Sequence, residues 1–417
     1  MKNTYLFGLL FFSFVTLQAQ KKSEDQPFTK PKVVVGIVVD QMRYDYLNRF
    51  WDKYQDGGFK RMINEGFNCK NNHFNYIPTK TAAGHASVYT GSTPKTHGII
   101  GNDWYDKNED RSVYCTEDAT VNSLGTVTDA GKMSPRRMLS STMTDQLKLA
   151  TASKGKVIGV SLKDRGSILP AGHAADAAYW FQGKEEGHWV TSTYYMEELP
   201  KWVEKFNKSK AAENYKKAWK PLYDIDTYTE SIEDNNIYEG AFSGEKTPTF
   251  PHDLPKIWNE NGKFDLLKGV PFGNSLTVDF AEAAIEGEDI GKDNITDFIA
   301  ISFSATDYVG HRFGVSAKET EDTYLRLDQD LARLFTYLDK EVGKGEYTVF
   351  LTADHAAVEV PSYLESMEIP GGYFSKKEFF DPLNAFLKAK FGSDELIKNF
   401  SNEQLFLDQD VVKALGV

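Results

Sequence analysis

The chain has 417 residues, of which 41% are hydrophobic and 26% are charged, and these proportions are ordinary for globular domains. They exclude a collagen-like, a coiled-coil and a wholly disordered chain. Acidic residues outnumber basic ones by 60 to 48, which argues against nucleic-acid binding because such proteins carry a basic surface. The two cysteines, Cys69 and Cys115, are too few for a disulfide scaffold, and the sequence leaves open whether they pair.

Residues 1–20 have the features of a secretory signal peptide. Lys2 precedes an apolar segment from Tyr5 to Leu17, and Ala19 and Gln20 form a small-residue cleavage zone. The apolar segment is shorter than the roughly 20 residues that a membrane-spanning helix needs. The polar residues 21–32 that follow predict a tether. We therefore expect an exported protein, periplasmic or secreted, without stable insertion into a membrane.

Four apolar runs rich in β-branched residues predict buried strands at 33–39, 157–162, 298–303 and 347–351. They lack a clear apolar–polar alternation, which is typical of parallel strands covered on both faces. Helical patterns lie between them, as at 320–342, where leucines recur near helical spacing. Strands that alternate with helices predict an α/β fold with a doubly wound, largely parallel sheet flanked by helices.

The segment from about residue 183 to 291 has a different character. It is rich in aromatic, charged and proline residues, and we find no strong buried strand in it. We interpret it as an inserted cap over the sheet, within a catalytic domain that spans 33–417, rather than as a second independent core.

Each predicted strand ends beside side chains that suit catalysis. They are Asp40 after the first strand, Lys163 and Arg165 after the second, Asp307 and His311 after the third, and Asp354 and His355 after the fourth. Ligands of open parallel sheets bind beyond the carboxyl ends of the strands, and carboxylates and imidazoles are normal zinc donors. A turn aspartate beside a hydrogen-bonded histidine explains either Asp/His pair alone. The four sets together predict a metal site.

Thr81, in the run YIPTKTAAGH at 76–85, is the candidate nucleophile. The small residues at 82–84 predict a tight helix entry, and the N–H groups and dipole of a helix N-terminus stabilise an alkoxide or a bound phosphate. A threonine hydroxyl is a poor nucleophile unless metal coordination lowers its pKa. Position alone does not decide between Thr81 and Thr79, since either suits an N-cap.

Lys163 and Arg165 favour phosphate monoesters over diesters. A monoester dianion carries more charge on its non-bridging oxygens, to which arginine offers a bidentate fork and lysine a point charge. A lone Lys-x-Arg is usually a solvated loop pair, but this one directly follows a buried strand.

Several dispersed motifs together resemble the alkaline phosphatase superfamily. They are IVVDQMR at 37–43, PTKTAAGH at 78–85, TGSTPKTHGIIGNDW at 90–104, SLKDRGS at 161–167, DYVGH at 307–311 and TADH at 352–355. They are most similar to the secreted, zinc-dependent, threonine-nucleophile (PafA-like) alkaline phosphatases, over at least 33–355. The resemblance implies hydrolysis of small phosphate monoesters at alkaline pH through a phosphothreonine intermediate.

The same resemblance implies roles for individual residues. Asp40, Thr81, Asp354 and His355 would bind one zinc ion, and Asp307 and His311 would bind a second that activates the attacking water. Thr81 would be the nucleophile. Asn102 would hydrogen-bond a phosphate oxygen, while Lys163 and Arg165 would bind the remaining oxygens.

The sequence departs from the family pattern in its last part. The family has one more zinc-ligand histidine well downstream, yet no histidine follows His355, and nothing supports Asp408 or Asp410 as substitutes. We therefore expect an incomplete second zinc site and a missing C-terminal part of the domain. Two alternatives remain open: a nucleotide pyrophosphatase/phosphodiesterase-like diesterase, and an inactive fragment or relic with one intact metal site. The oligomeric state is also left open.

Overall fold

The computed structural model describes residues 30–184 and 186–416. The predicted signal peptide and residues 21–29 of the predicted tether lie outside the described residues. The strands are β1 (Val33–Val39), β2 (Asp103–Asp106), β3 (Arg111–Tyr114), β4 (Ser123–Leu124), β5 (Val157–Ser161), β6 (Ala177–Gln182), β7 (His188–Ser192), β8 (Asp297–Phe303), β9 (Tyr347–Thr352), β10 (Ile397–Ser401) and β11 (Gln404–Leu407).

Fourteen α-helices lie in the described part of the chain. They are α1 (Tyr46–Arg49), α2 (Phe59–Glu65), α3 (Thr81–Thr90), α4 (Pro94–His97), α5 (Met143–Ala150), α6 (Asp164–Ala171), α7 (Lys201–Lys208), α8 (Leu254–Ile257), α9 (Phe272–Gly287), α10 (Ala305–Phe313), α11 (Lys318–Leu338), α12 (Pro361–Ser366), α13 (Lys376–Phe391) and α14 (Gln409–Leu415). None of these described helices has the length and apolar character that crossing a membrane requires.

Seven strands form the central sheet, in the order β4-β7-β6-β5-β8-β1-β9. The five strands from β6 to β9 in this order are parallel, whereas β7 and β4 run antiparallel to their neighbours. Their carboxyl ends are aligned, since Ser302 of β8 pairs with both Ser161 of β5 and Val38 of β1, which also pairs with Thr352 of β9. The mostly parallel sheet flanked by helices confirms the predicted fold class, and the four predicted strands agree with the structure within one residue at each end.

Burial explains why three of these four strands, β1, β5 and β8, were readable in the sequence. Every residue of β5 and β8 is buried, and so are six of the seven residues of β1. A strand covered on both faces needs a continuous apolar run. β9 is the edge strand and is only partly buried.

Three strands of the sheet, β4, β6 and β7, were not predicted. β7 lies inside 183–291, so the expectation that this segment holds no buried strand is wrong. β6 begins with two alanines and ends with Gln182, residues of low β-propensity, and β7 is only five residues long. Trp189, Trp219 and Phe280 of the same segment belong to one hydrophobic core with β1 and β8, and the rings of Trp189 and Phe280 stack with centroids 4.1 Å apart.

The helix predicted at 320–342 is α11, which begins at Lys318 and ends at Leu338, followed by a π-helical turn from Asp339 to Gly343. Its apolar face, including Leu327, Leu331 and Leu334, is buried. By contrast, α12, α13 and α14 have no buried residue among those described.

The two cysteines do not form a disulfide. Cys69 is exposed, Cys115 is buried, and both are free thiols. Burial raises the pKa of the Cys115 thiol to about 12, so it is inert as a nucleophile near neutral pH.

Candidate active site

Lys163 lies between two buried carboxylates at the carboxyl ends of neighbouring strands. Its ammonium donates to Asp40 Oδ2 at 2.7 Å and to Asp307 Oδ2 at 2.6 Å, and all three side chains are buried. Burial opposes the charged form of Lys163, but the attraction of Asp40 and Asp307 outweighs this effect and the pKa of Lys163 is raised. Two of the three ammonium N–H groups serve the carboxylates, which leaves the third for a ligand.

Thr81 is the first residue of α3, and its hydroxyl lies at the same strand ends. The Oγ1 atom is 3.5 Å from Asp40 Oδ1 and 3.5 Å from His355 Nε2. Lys80 is the N-cap residue and its side chain makes no capping bond, so Thr81 is not an N-cap. Thr79 is exposed. The predicted helix entry is confirmed, and the structure separates the two threonines that the sequence could not.

Helix α3 packs directly on the chain that carries Asp354. A Cβ on Gly84 would lie 2.2 Å from the Asp354 carbonyl oxygen, so this helix position requires glycine. One residue later, the buried His85 has Nδ1 at 2.8 Å from the Thr81 carbonyl oxygen and Nε2 at 2.8 Å from Ser302 Oγ. Because a carbonyl only accepts, Nδ1 is the protonated nitrogen. His85 thereby fixes the start of α3 against β8.

The metal-ligand candidates converge around His355. Asp40, Asp307 and His355 form a group whose ligand atoms all lie within 4.8 Å of one another. Asp354 Oδ2 is 3.8 Å from His355 Nε2. Burial lowers the pKa of His355, but Asp354 and Asp40 more than compensate and raise it to about 10. The negative surroundings therefore favour a positive charge at this nitrogen, carried by a proton or a metal ion.

The residues present fit a zinc ion. Asp354 Oδ2 is buried and has no hydrogen-bond partner within the described chain, although its distance to His85 Nδ1 is 3.2 Å. Burial raises the pKa of a carboxyl, yet His355 and His85 hold the pKa of Asp354 well below its usual range. An ionised, unpartnered carboxylate oxygen beside an imidazole and a second carboxylate is a zinc donor set.

His311 lies beside Asp307 but outside the group around His355. The two residues are one turn apart on α10, with His311 Nε2 at 3.2 Å from Asp307 Oδ1, as the spacing predicts. The His311 side chain is 71% exposed. Asp408, one of the residues considered as a further ligand, instead caps α14 through the N–H groups of Asp410 and Val411.

Arg165 is bound by Tyr114 through one of its N–H groups and keeps other N–H groups free of partners among the described residues. Its Nη1 donates to the Tyr114 hydroxyl at 2.9 Å, and that hydroxyl donates to Asp164 Oδ1 at 2.6 Å. The Arg165 Nε atom is buried and has no partner in the described chain. Burial disfavours the charged guanidinium, but Tyr114 and Asp164 outweigh this effect and the pKa is raised. A buried cation with an unpartnered N–H suits an anionic ligand.

Asn102 contacts the start of α3. Its Oδ1 accepts the N–H of Ala82 at 2.9 Å, which satisfies one of the free N–H groups of the helix N-terminus. No hydrogen bond of the Asn102 amide nitrogen is found in the described residues, so this group is a free donor next to Thr81.

Gln41 is a site residue that sequence reasoning missed. Its N–H donates to Asp354 Oδ1 at 3.1 Å and its Nε2 to Asp307 Oδ1 at 2.9 Å. It is buried and has a left-handed φ of 66°, which is unusual for a residue other than glycine. Its one sequence signal is its position directly after the strand-end Asp40.

Comparisons with known proteins agree with this geometry. Residues 34–390 match the family model for type I phosphodiesterase / nucleotide pyrophosphatase. The chain is 51% identical to alkaline phosphatase PafA of Elizabethkingia meningoseptica, over 98% of this chain and 74% of that protein. It is 47% identical to alkaline phosphatase PhoV of Synechococcus elongatus, over 97% of this chain and 74% of that protein.

The chain is also similar to a further relative and to a solved structure. A protein of Myroides odoratus named calcium-transporting ATPase is 51% identical over 98% of this chain and 73% of its own length. The crystal structure of wild-type PafA superposes with a TM-score of 0.89 at 50% identity, covering 93% of this chain and 74% of that one. The chain therefore belongs to the type I phosphodiesterase / nucleotide pyrophosphatase family and, within the alkaline phosphatase superfamily, to the PafA-like alkaline phosphatases.

Proposed function

We propose that the chain is an exported, zinc-dependent hydrolase of small phosphate monoesters that acts through a phosphorylated Thr81. Two named alkaline phosphatases match it at 47–51% identity over nearly its whole length, which supports the monoester hydrolase. The observation that carries the mechanism is the position of the Thr81 hydroxyl, at a helix N-terminus and 3.5 Å from both Asp40 and His355.

In this mechanism the Thr81 oxygen attacks phosphorus and the alcohol leaves, which forms phosphothreonine; water then releases inorganic phosphate and restores the hydroxyl. Asp40, Asp354, His355 and Thr81 itself would hold one zinc ion. When bound, zinc lowers the pKa of a coordinated hydroxyl or water and stabilises charge on the entering and leaving oxygens.

The chain's own donors bind the phosphate. Arg165 offers its unpartnered Nε–H, Lys163 its third N–H and Asn102 its amide nitrogen. The N–H groups of α3 add the positive end of a helix dipole. Three donors of which two are cations match the dianion of a monoester better than the monoanion of a diester.

Asp307 and His311 are our proposed ligands for a second zinc ion. Two protein ligands are fewer than the three that are usual for catalytic zinc, and no histidine follows His355 in the sequence. The remaining donor is unassigned, and activity is the test of whether the site functions as it stands.

The second candidate is a phosphodiesterase, favoured by the description of the matching family model. The buried Nε–H of Arg165, which has no partner among the described residues, argues against it, since a diester has one non-bridging charge fewer to satisfy. Hydrolysis of an aryl phosphate and of the matched methyl diester, with zinc supplied, separates the two functions. We expect preference for the monoester. Preference for the diester refutes this proposal, and no turnover by folded protein supports the alternative of an inactive fragment or relic.

Thr81→Ala tests the nucleophile, with the exposed Thr79→Ala as matched control. We expect Thr81→Ala to lose about 10³-fold or more in kcat and to form no acid-stable phosphothreonine, while it still binds zinc. Thr79→Ala should keep wild-type turnover. If Thr81→Ala remains active, or both variants lose activity equally, Thr81 is not the nucleophile. N-terminal sequencing of protein recovered from the periplasm or medium tests export and cleavage near residue 20.

A further inference from the structure

The tip of the C-terminal hairpin, formed by β10 and β11, contacts the two segments that carry Thr81 and Asn102. The Asn402 Oδ1 atom accepts from Lys80 Nζ at 2.8 Å. Its Nδ2 donates to the Asp103 carbonyl oxygen at 2.8 Å. We propose that Asn402 is a positioning residue that fixes Asn102 against the nucleophile helix.

The backbone presents this side chain in one direction. Asn402 and Glu403 are the two turn residues between β10 and β11, and both have left-handed φ values, 49° and 59°. Two-residue hairpin turns of this kind favour asparagine at the first position. Gly101 allows the approach, because a Cβ there would lie 2.9 Å from Asn402 Oδ1.

The hairpin is fixed to its surroundings independently of Asn402. Lys398 Nζ pairs with Asp110 Oδ2 at 2.8 Å, and the rings of Phe406 and Tyr105 lie 5.0 Å apart. Both contacts join the C-terminal hairpin to the hairpin of β2 and β3. The Asn402 bonds are therefore not needed to dock the C-terminal hairpin, and their removal leaves its other anchors in place.

Asn402 acts on the site through its neighbours in sequence and space. Lys80 directly precedes Thr81, and Asp103 directly follows Asn102, whose Oδ1 accepts the N–H of Ala82. One side chain thus connects the two segments that meet at the N-terminus of α3. This inference rests on the proposed roles of Thr81 and Asn102. It adds to their surroundings a residue that lies 299 positions from Asp103 in the sequence.

Asn402→Gly removes the side chain and keeps a residue that readily adopts the left-handed conformation. Glu403→Gly is the matched control, because Glu403 is exposed and occupies the adjacent turn position. We expect Asn402→Gly to lower kcat/KM for an aryl phosphate about 5- to 30-fold, the effect of losing one or two hydrogen bonds that position catalytic segments. Glu403→Gly should change it less than about twofold on the same basis.

A double-mutant cycle with Asn102→Ala separates positioning from general stabilisation. If Asn402 acts through Asn102, the loss caused by Asn402→Gly shrinks to less than about twofold in the Asn102→Ala background. A loss of equal size in both backgrounds, or no loss beyond the Glu403→Gly control, overturns the inference. If Asn102→Ala alone has full activity, it is the proposed role of Asn102 in phosphate binding that fails.

Lys80→Met provides a second route should Asn402→Gly not fold, as judged by circular dichroism. It breaks the bond to Asn402 from the other side and leaves the hairpin sequence intact. A several-fold loss of kcat/KM in folded Lys80→Met supports the inference, and wild-type kcat/KM contradicts it.

Discussion

Two clusters of buried and partly buried charged side chains among the described residues differ in what accompanies the charge. The strand-end cluster comprises Asp40, Lys163, Asp307, Asp354 and His355. The second, which we call the His252 cluster, comprises Glu239, Glu245, His252 and Glu319. Each holds a histidine beside carboxylates, so burial of charge alone does not distinguish an active site from a structural contact.

The His252 cluster is enclosed by aromatic rings. His252 Nδ1 lies 3.0 Å from Glu245 Oε1 and its Nε2 lies 3.3 Å from Glu319 Oε1. The rings around the imidazole belong to Trp219, Phe242, Phe250 and Phe313, each with its centroid 5.1–5.3 Å from that of His252. No hydroxyl nucleophile contacts this histidine in the described residues. The cluster joins the segment 219–252 to α11.

At the strand-end cluster, by contrast, buried groups of opposite charge lack hydrogen-bond partners within the described residues. In the part of the chain that the structure describes, Asp354 Oδ2 and the Nε of the neighbouring Arg165 are buried without hydrogen-bond partners, whereas the unpartnered buried atoms of the His252 cluster, Glu239 Oε2 and Glu319 Oε2, are both carboxyl oxygens. The Thr81 hydroxyl lies between the carboxylate of Asp40 and the imidazole of His355. Unpaired buried polar groups cost free energy and are retained where a ligand completes them. The difference teaches that a nucleophile and unmatched groups of opposite charge, more than buried charge itself, mark the site.

The larger of the effects that separate the two clusters follows from removing the guanidinium of Arg165, whose Nε–H has no partner among the described residues. Arg165→Ala should lower monoester hydrolysis about 10²- to 10³-fold, the usual effect of deleting one donor to transition-state charge, while diester hydrolysis falls less than about tenfold. The matched control is Arg136→Ala, since Arg136 pairs with Asp118 and is 46% exposed. Steady-state kinetics with both substrates measures the effect; equal losses for monoester and diester mean that Arg165 does not select charge.

A smaller effect is expected at Gln41, which bonds two of the proposed metal ligands. Gln41→Asn keeps a residue that tolerates the left-handed backbone but is too short to retain the bond to Asp307. We expect zinc affinity to fall about 10- to 100-fold, as for other residues that orient metal ligands. Competition with a chromophoric chelator measures it. The control is Gln182→Asn, because Gln182 is a buried glutamine at the end of β6 whose amide donates to the Thr128 hydroxyl. Similar losses of zinc affinity in both variants would show a general packing effect.

The sequence revealed those parts of the site that depend on one strand at a time. Asp40, Lys163 and Asp354 each follow an apolar run that can be recognised locally, and strand-end position indicated that they meet. The bonds from Arg165 to Tyr114 and from Gln41 to Asp307 were not readable, because Tyr114 comes from a separate hairpin and Gln41 has a left-handed backbone. The bond between Asn402 and Lys80 spans 322 positions, and no local pattern encodes such a contact.

The smallest expected effect on catalysis, and a distinct effect on stability, concerns the His252 cluster. Burial lowers the pKa of His252, but Glu245 and Glu319 outweigh this effect and raise the pKa to about 9. Burial and the nearby Glu319 raise the pKa of Glu239 to about 9 as well. The folded state therefore keeps both protons at pH values where the unfolded chain has lost them.

Stability should consequently fall as the pH rises. The contribution of His252 is complete below its unfolded pKa of about 6.5 and is lost as the pH rises through 9, and that of Glu239 declines from about pH 4.5 upwards. Denaturant unfolding at constant zinc concentration should show that the free energy of unfolding falls by roughly 1–3 kcal/mol between pH 6.5 and 9.5. This decrease should be smaller in His252→Gln. It should be unchanged in the control His73→Gln, because His73 is exposed. Folded His252→Gln should hydrolyse monoesters at the wild-type rate. A tenfold loss of turnover would mean that the His252 cluster also serves the reaction, and the distinction between the two clusters would then fail.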